Sequence, residues 1–444
     1  MKKLFAYLCT TVLLTSMLSS ASFGPTANPS PRSYACMVTD SINGRMILFA
    51  GMNTGMPGGQ YLNDVWALDA DDETWHLIEP LGQAPPPRFE AAAVYHCTGN
   101  QMIVFGGRAG DTYYNDVWSL DLTPGSETWT QLSPSGAPPS PRTCAKAVID
   151  PVNNRMVFFG GSTITNGFDE TWSLDLSTLT WSLLSPSGMI PDARFAHCAI
   201  YEPNGHRMVI FGGVNWYHPM MDDTWSLDLT YGSEAWQQLF PAGQQPGART
   251  QHFCVHDQCN NDMVIGFGYI ADPYFLYYND VWALDFGSLT WTRILAQTIT
   301  VDGRRASSAA YDPVAHKFFI FGGNQYNSFH FGDTYVIALD SVGVAEYERS
   351  GAVDHACIKI LENPTRLPCR FNVFVPVACN ILLRILDAAG RSVDVLSTGE
   401  HASGNHIVNW AGVDSRGRKV PAGTYFIVLE MNGEVVTQKS VLIK

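Results

Sequence analysis

The stretch Met208–Leu229, MVIFGGVNWYHPMMDDTWSLDL, decides the fold. An apolar run enters a Gly-Gly pair, and a loop carrying Trp216, Tyr217 and His218 follows. The segment then alternates, with Trp225 and Leu227 on one face and Ser226 and Asp228 on the other, as a half-buried strand does. The same frame recurs along the chain. Nineteen residues separate Arg194 from Gly213, and the same interval follows Arg32, Arg88, Arg142, Arg249 and Arg304. Six units of 52 to 56 residues result. Each carries an acidic residue after its loop: Asp64, Asp116, Glu170, Asp223, Asp280 and Asp333. An aromatic stands two residues on, and five units close with Trp75, Trp129, Trp181, Trp236 or Trp291. The fifth unit reads MVIGFGY, with Gly266 where the others have Phe, and the sixth lacks the closing Trp.

Within one unit, FAHCAIYE, RMVIFGG, DTWSLDL and AWQQLF are four strand candidates separated by turn chemistry such as EPNGH and LTYGSE. One four-stranded sheet cannot bury both faces, but six packed around an axis can. The chain is expected to be all-β, a six-bladed β-propeller over residues 22–343. The closing outer strand comes from VGVAEYE or from the segment before Arg32, and a seventh, degenerate blade is the alternative. The Arg start, the run into Gly-Gly, the Asn-Asp-Val-Trp segments and the late Trp resemble Kelch repeats, over about residues 32–340. The resemblance speaks to fold; Kelch propellers serve as binding modules, scaffolds and a few enzymes.

The 444 residues leave room for a second domain. After a linker at 344–355, residues 356–444 read as strand, Ala-Gly turn, strand, Gly-rich loop, strand, hairpin, strand, the pattern of a small Ig-like β-sandwich. Asn363-Pro364, Asp387, Gly390-Arg391, Trp410, Asp414, Gly417, Pro421, Gly423-Thr424-Tyr425 and the terminal TQKSVLIK resemble the Ig-like domain of flagellar hook-capping proteins. They also resemble the C-terminal sorting domains of type IX cargo. That resemblance implies contact with secretion machinery and a surface or released location. WAGVDSRGRKV is closer to the hook-capping form. Residues 1–21 read as an export signal: MKK, an apolar stretch too short to span a bilayer, then SSAS. No other transmembrane candidate occurs.

A net charge of −14 without a basic stripe argues against nucleic acid as a partner. Ten cysteines become nine after signal removal, an odd number. Cys36, Cys144, Cys198 and Cys254 follow repeat arginines and read as buried small hydrophobes, and no spacing suggests a metal site. No cofactor is expected.

Six arginines and six acids at one register read as a repeated structural network, because a single site does not need six copies. Recognition is expected where the repeat varies, in the loops between second and third strands. All six loops emerge on one face, gathering Tyr113, Tyr114, Trp216, Tyr217, His218, Tyr269, Tyr274, Phe275, Tyr277, Tyr326, Phe329 and His330, of which Tyr113, Trp216, Tyr217, His218, Tyr274, Tyr326 and His330 are the ligand-binding candidates. Aromatics with amides suit a glycan or a protein ligand. The alternative is a carbohydrate-active enzyme on the same face. One version resembles galactose oxidase, with His218, His330, Tyr217 and Tyr326 offering imidazole and phenol ligands. The other resembles exported sugar mutarotases, with Glu90 and Asp111 near the face.

Overall fold

A computed structural model describes residues 28–54, 59–216, 218–271, 275–295, 301–325, 329–338, 346–350, 357–360, 369–375, 379–388, 390–401, 404–431 and 434–442. The export signal read at 1–21 lies outside the described residues. Apart from one 3-10 turn at Cys97–Gly99, every regular element described is a strand. No helix among the described residues is long and apolar enough to cross a membrane. The chain divides into two compact units, at Ser350 and Gly351.

The first unit is a six-bladed propeller. Its blades begin with innermost strands Cys36–Asp40, Ala92–His96, Lys146–Asp150, Cys198–Glu202, Phe253–Asp257 and Ser308–Asp312. Each blade is an antiparallel meander whose four principal strands are neighbours in sequence order. Blade 4 shows the rule, with Cys198–Glu202, Arg207–Asn215, His218–Asp228 and Ala235–Leu239. Second strands are apolar on both sides because both faces meet a neighbouring blade; Met156–Phe159 is wholly buried.

Blades are locked by an aromatic pair. Each late Trp packs on the second-strand Phe of the preceding blade: Trp129 on Phe49, Trp181 on Phe105, Trp236 on Phe159 and Trp291 on Phe211, with centroids 4.8–5.3 Å apart. Trp75 of blade 1 packs on Phe321 of blade 6 at 5.1 Å. The two irregularities of the repeat are therefore one. Blade 6 lacks the Trp and blade 5 lacks the Phe that would receive it. At Gly266 an added Cβ would meet the Phe253 ring at 2.5 Å. Phe253 and Phe267, in edge contact at 5.3 Å, occupy the space, and Phe267 keeps the left-handed φ, 62° here, that every blade has at this position.

The ring closes without exchanging a strand between its ends. The fourth strand of blade 6 is Glu346–Ser350, paired antiparallel with Thr334–Ala338. This corrects the linker at 344–355: part of it is the outer strand of the last blade, as the VGVAEYE alternative required. The charged sequence EYERS hid it, since an outer strand needs little apolar surface. Closure uses the joint that links every other pair of blades. The N–H of the repeat glycine in each blade donates to the next repeat Arg carbonyl: Gly51 to Arg88, Gly107 to Arg142, Gly161 to Arg194, Gly213 to Arg249, Gly268 to Arg304, and Gly323 back to Arg32. These glycines have φ of 86–101°, and a Cβ on Gly213 would strike the Phe195 carbonyl at 3.0 Å.

On the opposite face, in every blade but the second, an acid ends the first strand and holds its hairpin, and in blades 1, 3 and 4 it pairs with an arginine five residues on: Asp40 with Arg45, Asp150 with Arg155, Glu202 with Arg207. Blade 5 puts Asp262 there. Burial, then Asp257 and Asp285, push its carboxyl up to about 7. A raised folded-state pKa means that this group's contribution falls as pH rises from about 4 to about 7. Asp262→Asn should leave stability unchanged at pH 4 and raise it at pH 8 by about 1–2 kcal/mol, solvent screening holding the gain to that. Urea unfolding at the two pH values checks this; an equal effect at both contradicts it.

The second unit is a β-sandwich. One sheet holds Cys357–Ile360, Cys369–Val375 and Gly404–Trp410; the other holds Ser392–His401, Cys379–Asp387, Gly423–Met431 and Glu434–Leu442. Trp410 is buried at its centre, edge-on to Tyr425 at 5.1 Å, with its N–H donated to the Val413 carbonyl. Asp387–Arg391 and Asp414–Arg418 pairs brace two turns.

Candidate functional site

The repeat arginines are buried and engaged. Each donates to the acid of its own blade, at 2.6 Å for Arg32–Asp64, Arg88–Asp116, Arg142–Glu170 and Arg194–Asp223, 2.7 Å for Arg249–Asp280 and 2.5 Å for Arg304–Asp333. Each also donates to the backbone carbonyl eighteen residues on, such as Gly106 for Arg88 and Phe267 for Arg249. In blades 1 to 5 the same acid accepts the indole N–H of the Trp two residues later. In blade 6, Tyr335 takes that position and its hydroxyl accepts from Arg304. Burial pushes the Asp116 and Asp223 carboxyls up, but the guanidinium and indole donors outweigh it and hold both below the usual carboxylate range. No guanidinium in this set is exposed to a ligand.

Two residues past each arginine the backbone turns left-handed. Tyr34, Glu90, Cys144, Ala196, Gln251 and Ala306 all have φ between 52° and 59°. Such angles are costly for side-chain-bearing residues. They are held by a closed ring of six hydrogen bonds at 2.8–3.1 Å, each N–H donating to the preceding blade's carbonyl, with Tyr34 returning to Ala306. The ring surrounds a central cavity lined by Tyr34, Glu90, Cys144, Lys146, Gln251 and His252, among others. The Glu90 carboxylate receives Arg108 at 3.1 Å and the Thr143 hydroxyl at 2.9 Å. Tyr34 donates to Gln251 at 3.0 Å. Burial, then the nearby arginines and Lys146, push the His197 and His252 imidazoles well below the usual range, and neither ring nitrogen of His197 has a partner. Sequence reasoning missed this ring, because its position is constant while its residue types are not.

The loops rise beside the cavity mouth as short hairpins. In blade 4, Asn215 pairs with His218, and Trp216 follows Asn215 into the turn. Trp216 rests on Phe195 at 5.0 Å yet stays 49% exposed. In blade 5, Phe275 is 70% exposed and its ring is parallel to Tyr269, itself under Arg305. In blade 6, Phe329 is 56% exposed above Phe331. Three consecutive blades thus each present one rooted, solvent-facing aromatic on the same face. Phe275 and Phe329 join Trp216 as the exposed set; Tyr113 is half-buried beside Arg108.

His330 is corrected out of that set. It is buried, with Nδ1 at 3.1 Å from the Ser33 hydroxyl and Nε2 at 3.0 Å from the Thr54 carbonyl, and so ties blade 6 to blade 1. One residue from the exposed Phe329, it faces the other way because strand side chains alternate. Tyr217, Tyr274 and Tyr326 lie outside the described residues, as does the side chain of His218. Of the candidate imidazole and phenol ligands His218, His330, Tyr217 and Tyr326, only His330 has a described side chain, and both its ring nitrogens are occupied. Asp111 is exposed at a hairpin turn.

Comparison with known proteins agrees with this geometry. A KLHDC2/KLHL20/DRC7 Kelch-repeats domain model matches residues 13–202 and 151–356. A FlgD Ig-like domain model matches residues 376–434. Host cell factor 1 of Homo sapiens is 32% identical over 196 residues, 40% of this chain and 9% of that protein. Kelch domain-containing protein 10 of Mus musculus is 27% identical over 287 residues, 60% of this chain and 62% of that protein. The chain thus spans less than two thirds of either relative. The solved structure of YjhT superposes with a TM-score of 0.56 at 15% identity, covering 72% of this chain and 98% of that one, and speaks to the fold. The chain belongs to the Kelch-repeat family, as a six-bladed propeller followed by a FlgD-type Ig-like domain.

Proposed function

We propose that the propeller is an interaction module that recognises a partner protein through the face bearing the loops between second and third strands. The observation that carries this reading is the crescent of Trp216, Phe275 and Phe329. Exposed large aromatics grouped on one face mark interaction sites, and rigidly rooted ones make good anchors because little side-chain freedom is lost on binding. Two of the three lack any polar atom, which favours a protein partner over a glycan. The protein is exported by its N-terminal segment, and the Ig-like domain engages secretion machinery and holds it at, or releases it from, the outer cell surface. The Ig-like match supports that role.

The test is binding of the secreted form to paired protein and glycan arrays beside a variant with Trp216, Tyr217 and His218 changed to Ala. The parent should bind a defined protein and the variant lose at least about tenfold in affinity, the effect of losing one anchor. Binding to glycans alone would move the assignment to carbohydrate recognition. If both proteins bind nothing, the loops are edge cover, and sugar-oxidation and mutarotation assays take precedence.

A further inference from the structure

On the face opposite the loops, hairpins between first and second strands meet across blade boundaries. In blades 2 to 6 the residue turning the hairpin is left-handed: Asn100, Asn154, His206, Asn261 and His316 have φ of 46–57°. In blade 4, His206 reaches back to blade 3 and its Nε2 meets the Asp150 carboxylate at 3.0 Å. His316 holds the same position in blade 6. The carboxylate equivalent to Asp150 is Asp257 of blade 5, but that group is already taken. It accepts the Tyr311 hydroxyl at 2.7 Å and the Cys259 amide at 3.0 Å. His316 Nε2 instead meets the Cys259 sulfur at 2.9 Å. The Tyr311 phenol, hydrogen-bonded to Asp257, lies within reach of the same sulfur. At His316 a thiol therefore makes the contact that a carboxylate makes to His206, with a phenol beside it. Cys259 is exposed, unlike the buried free thiols Cys36, Cys144 and Cys198.

We propose that Cys259, with His316 as its proton acceptor, is a thiol–disulfide exchange site that takes up half of a low-molecular-weight disulfide. The thiol proton passes to His316 Nε2. The thiolate attacks one sulfur of the incoming disulfide, a new S–S bond forms to Cys259 and the old one breaks. The departing thiolate takes the proton from His316 and leaves as a thiol. Cys259 is oxidised and the departing half is reduced, with no further oxidant. A thiolate held by a neighbouring imidazole reacts faster than an ordinary exposed thiol.

Cys97 supplies the control inside the same molecule, as an exposed free thiol on blade 2. The full chain is treated with glutathione disulfide at pH 7, and adducts at Cys259 and Cys97 are followed by peptide mass mapping. Cys259 should react about tenfold faster than Cys97, and His316→Asn should bring it down to the Cys97 rate. Asn serves at three equivalent turns, so the hairpin is kept; protection of buried Cys36 and Cys144 in the variant verifies the fold. Equal rates at the two thiols in the parent, or a Cys259 rate untouched by His316→Asn, overturn the proposal. If the variant exposes Cys36 and Cys144, the parent ratio decides alone.

Discussion

Arg249→Met should destabilise the propeller by about 3–5 kcal/mol, the usual cost of removing one partner from a buried ion pair. The methionine fills much of the space, so the loss is electrostatic. Asp280, itself buried, keeps the Trp282 indole at 2.9 Å and the more distant Arg293 at 3.9 Å, but loses two guanidinium bonds. The Phe267 and Gly247 carbonyls lose their donors as well. Arg142→Met is the informative comparison. Its acid, Glu170, is 36% exposed and can be solvated when the arginine leaves. The loss there should be smaller by about 1–2 kcal/mol. Urea unfolding followed by tryptophan fluorescence ranks the two; equal losses would show that backbone carbonyl bonds, not the buried carboxylate, set the cost.

Trp75→Ala should cost about 3–5 kcal/mol, as deletion of a buried indole generally does. Trp75 is the only late Trp that packs across the ring closure. Its ring meets Phe321, its N–H donates to the Thr334 hydroxyl at 2.9 Å, and the surrounding cluster mixes Met46, Leu48 and Leu68 of blade 1 with Phe319 and Val336 of blade 6. Trp236 does the same between blades 4 and 3, donating to Thr171 at 3.1 Å. If the closing joint is like the others, Trp75→Ala and Trp236→Ala destabilise alike. A loss below about 1 kcal/mol at Trp75 alone would mean that the ring is held elsewhere.

The blade frame was legible because its signals are local: an Arg, a Gly-Gly and an acid recur at fixed register, and each strand's alternation can be read within five residues. What was not legible depends on contacts between units. The missing Trp of blade 6 and the missing Phe of blade 5 look like separate lapses until the packing of one blade on the next joins them. The ring of left-handed residues was hidden because backbone geometry, not residue type, is what repeats there. Glu346–Ser350 carried charge where an apolar strand was sought. At the site, the loop face was readable from topology, but the direction of a side chain was not. Phe329 and His330 are neighbours in sequence and opposite in role, one open to solvent and one tying the ring. Phe275 went unselected because nothing in its sequence separates it from the aromatics around it.

The measurement that bears most directly on the assigned face is the affinity of an array-selected partner for three forms of the full chain: the parent, the Trp216/Tyr217/His218 alanine variant, and a variant with Val152 and Val314 changed to Ser. Val152 and Val314 are exposed on hairpins of the opposite face. The account predicts at least about a tenfold weaker Kd for the loop-face variant and an unchanged Kd for the other. Loss of binding from the opposite-face variant, with the loop-face variant unaffected, would contradict it.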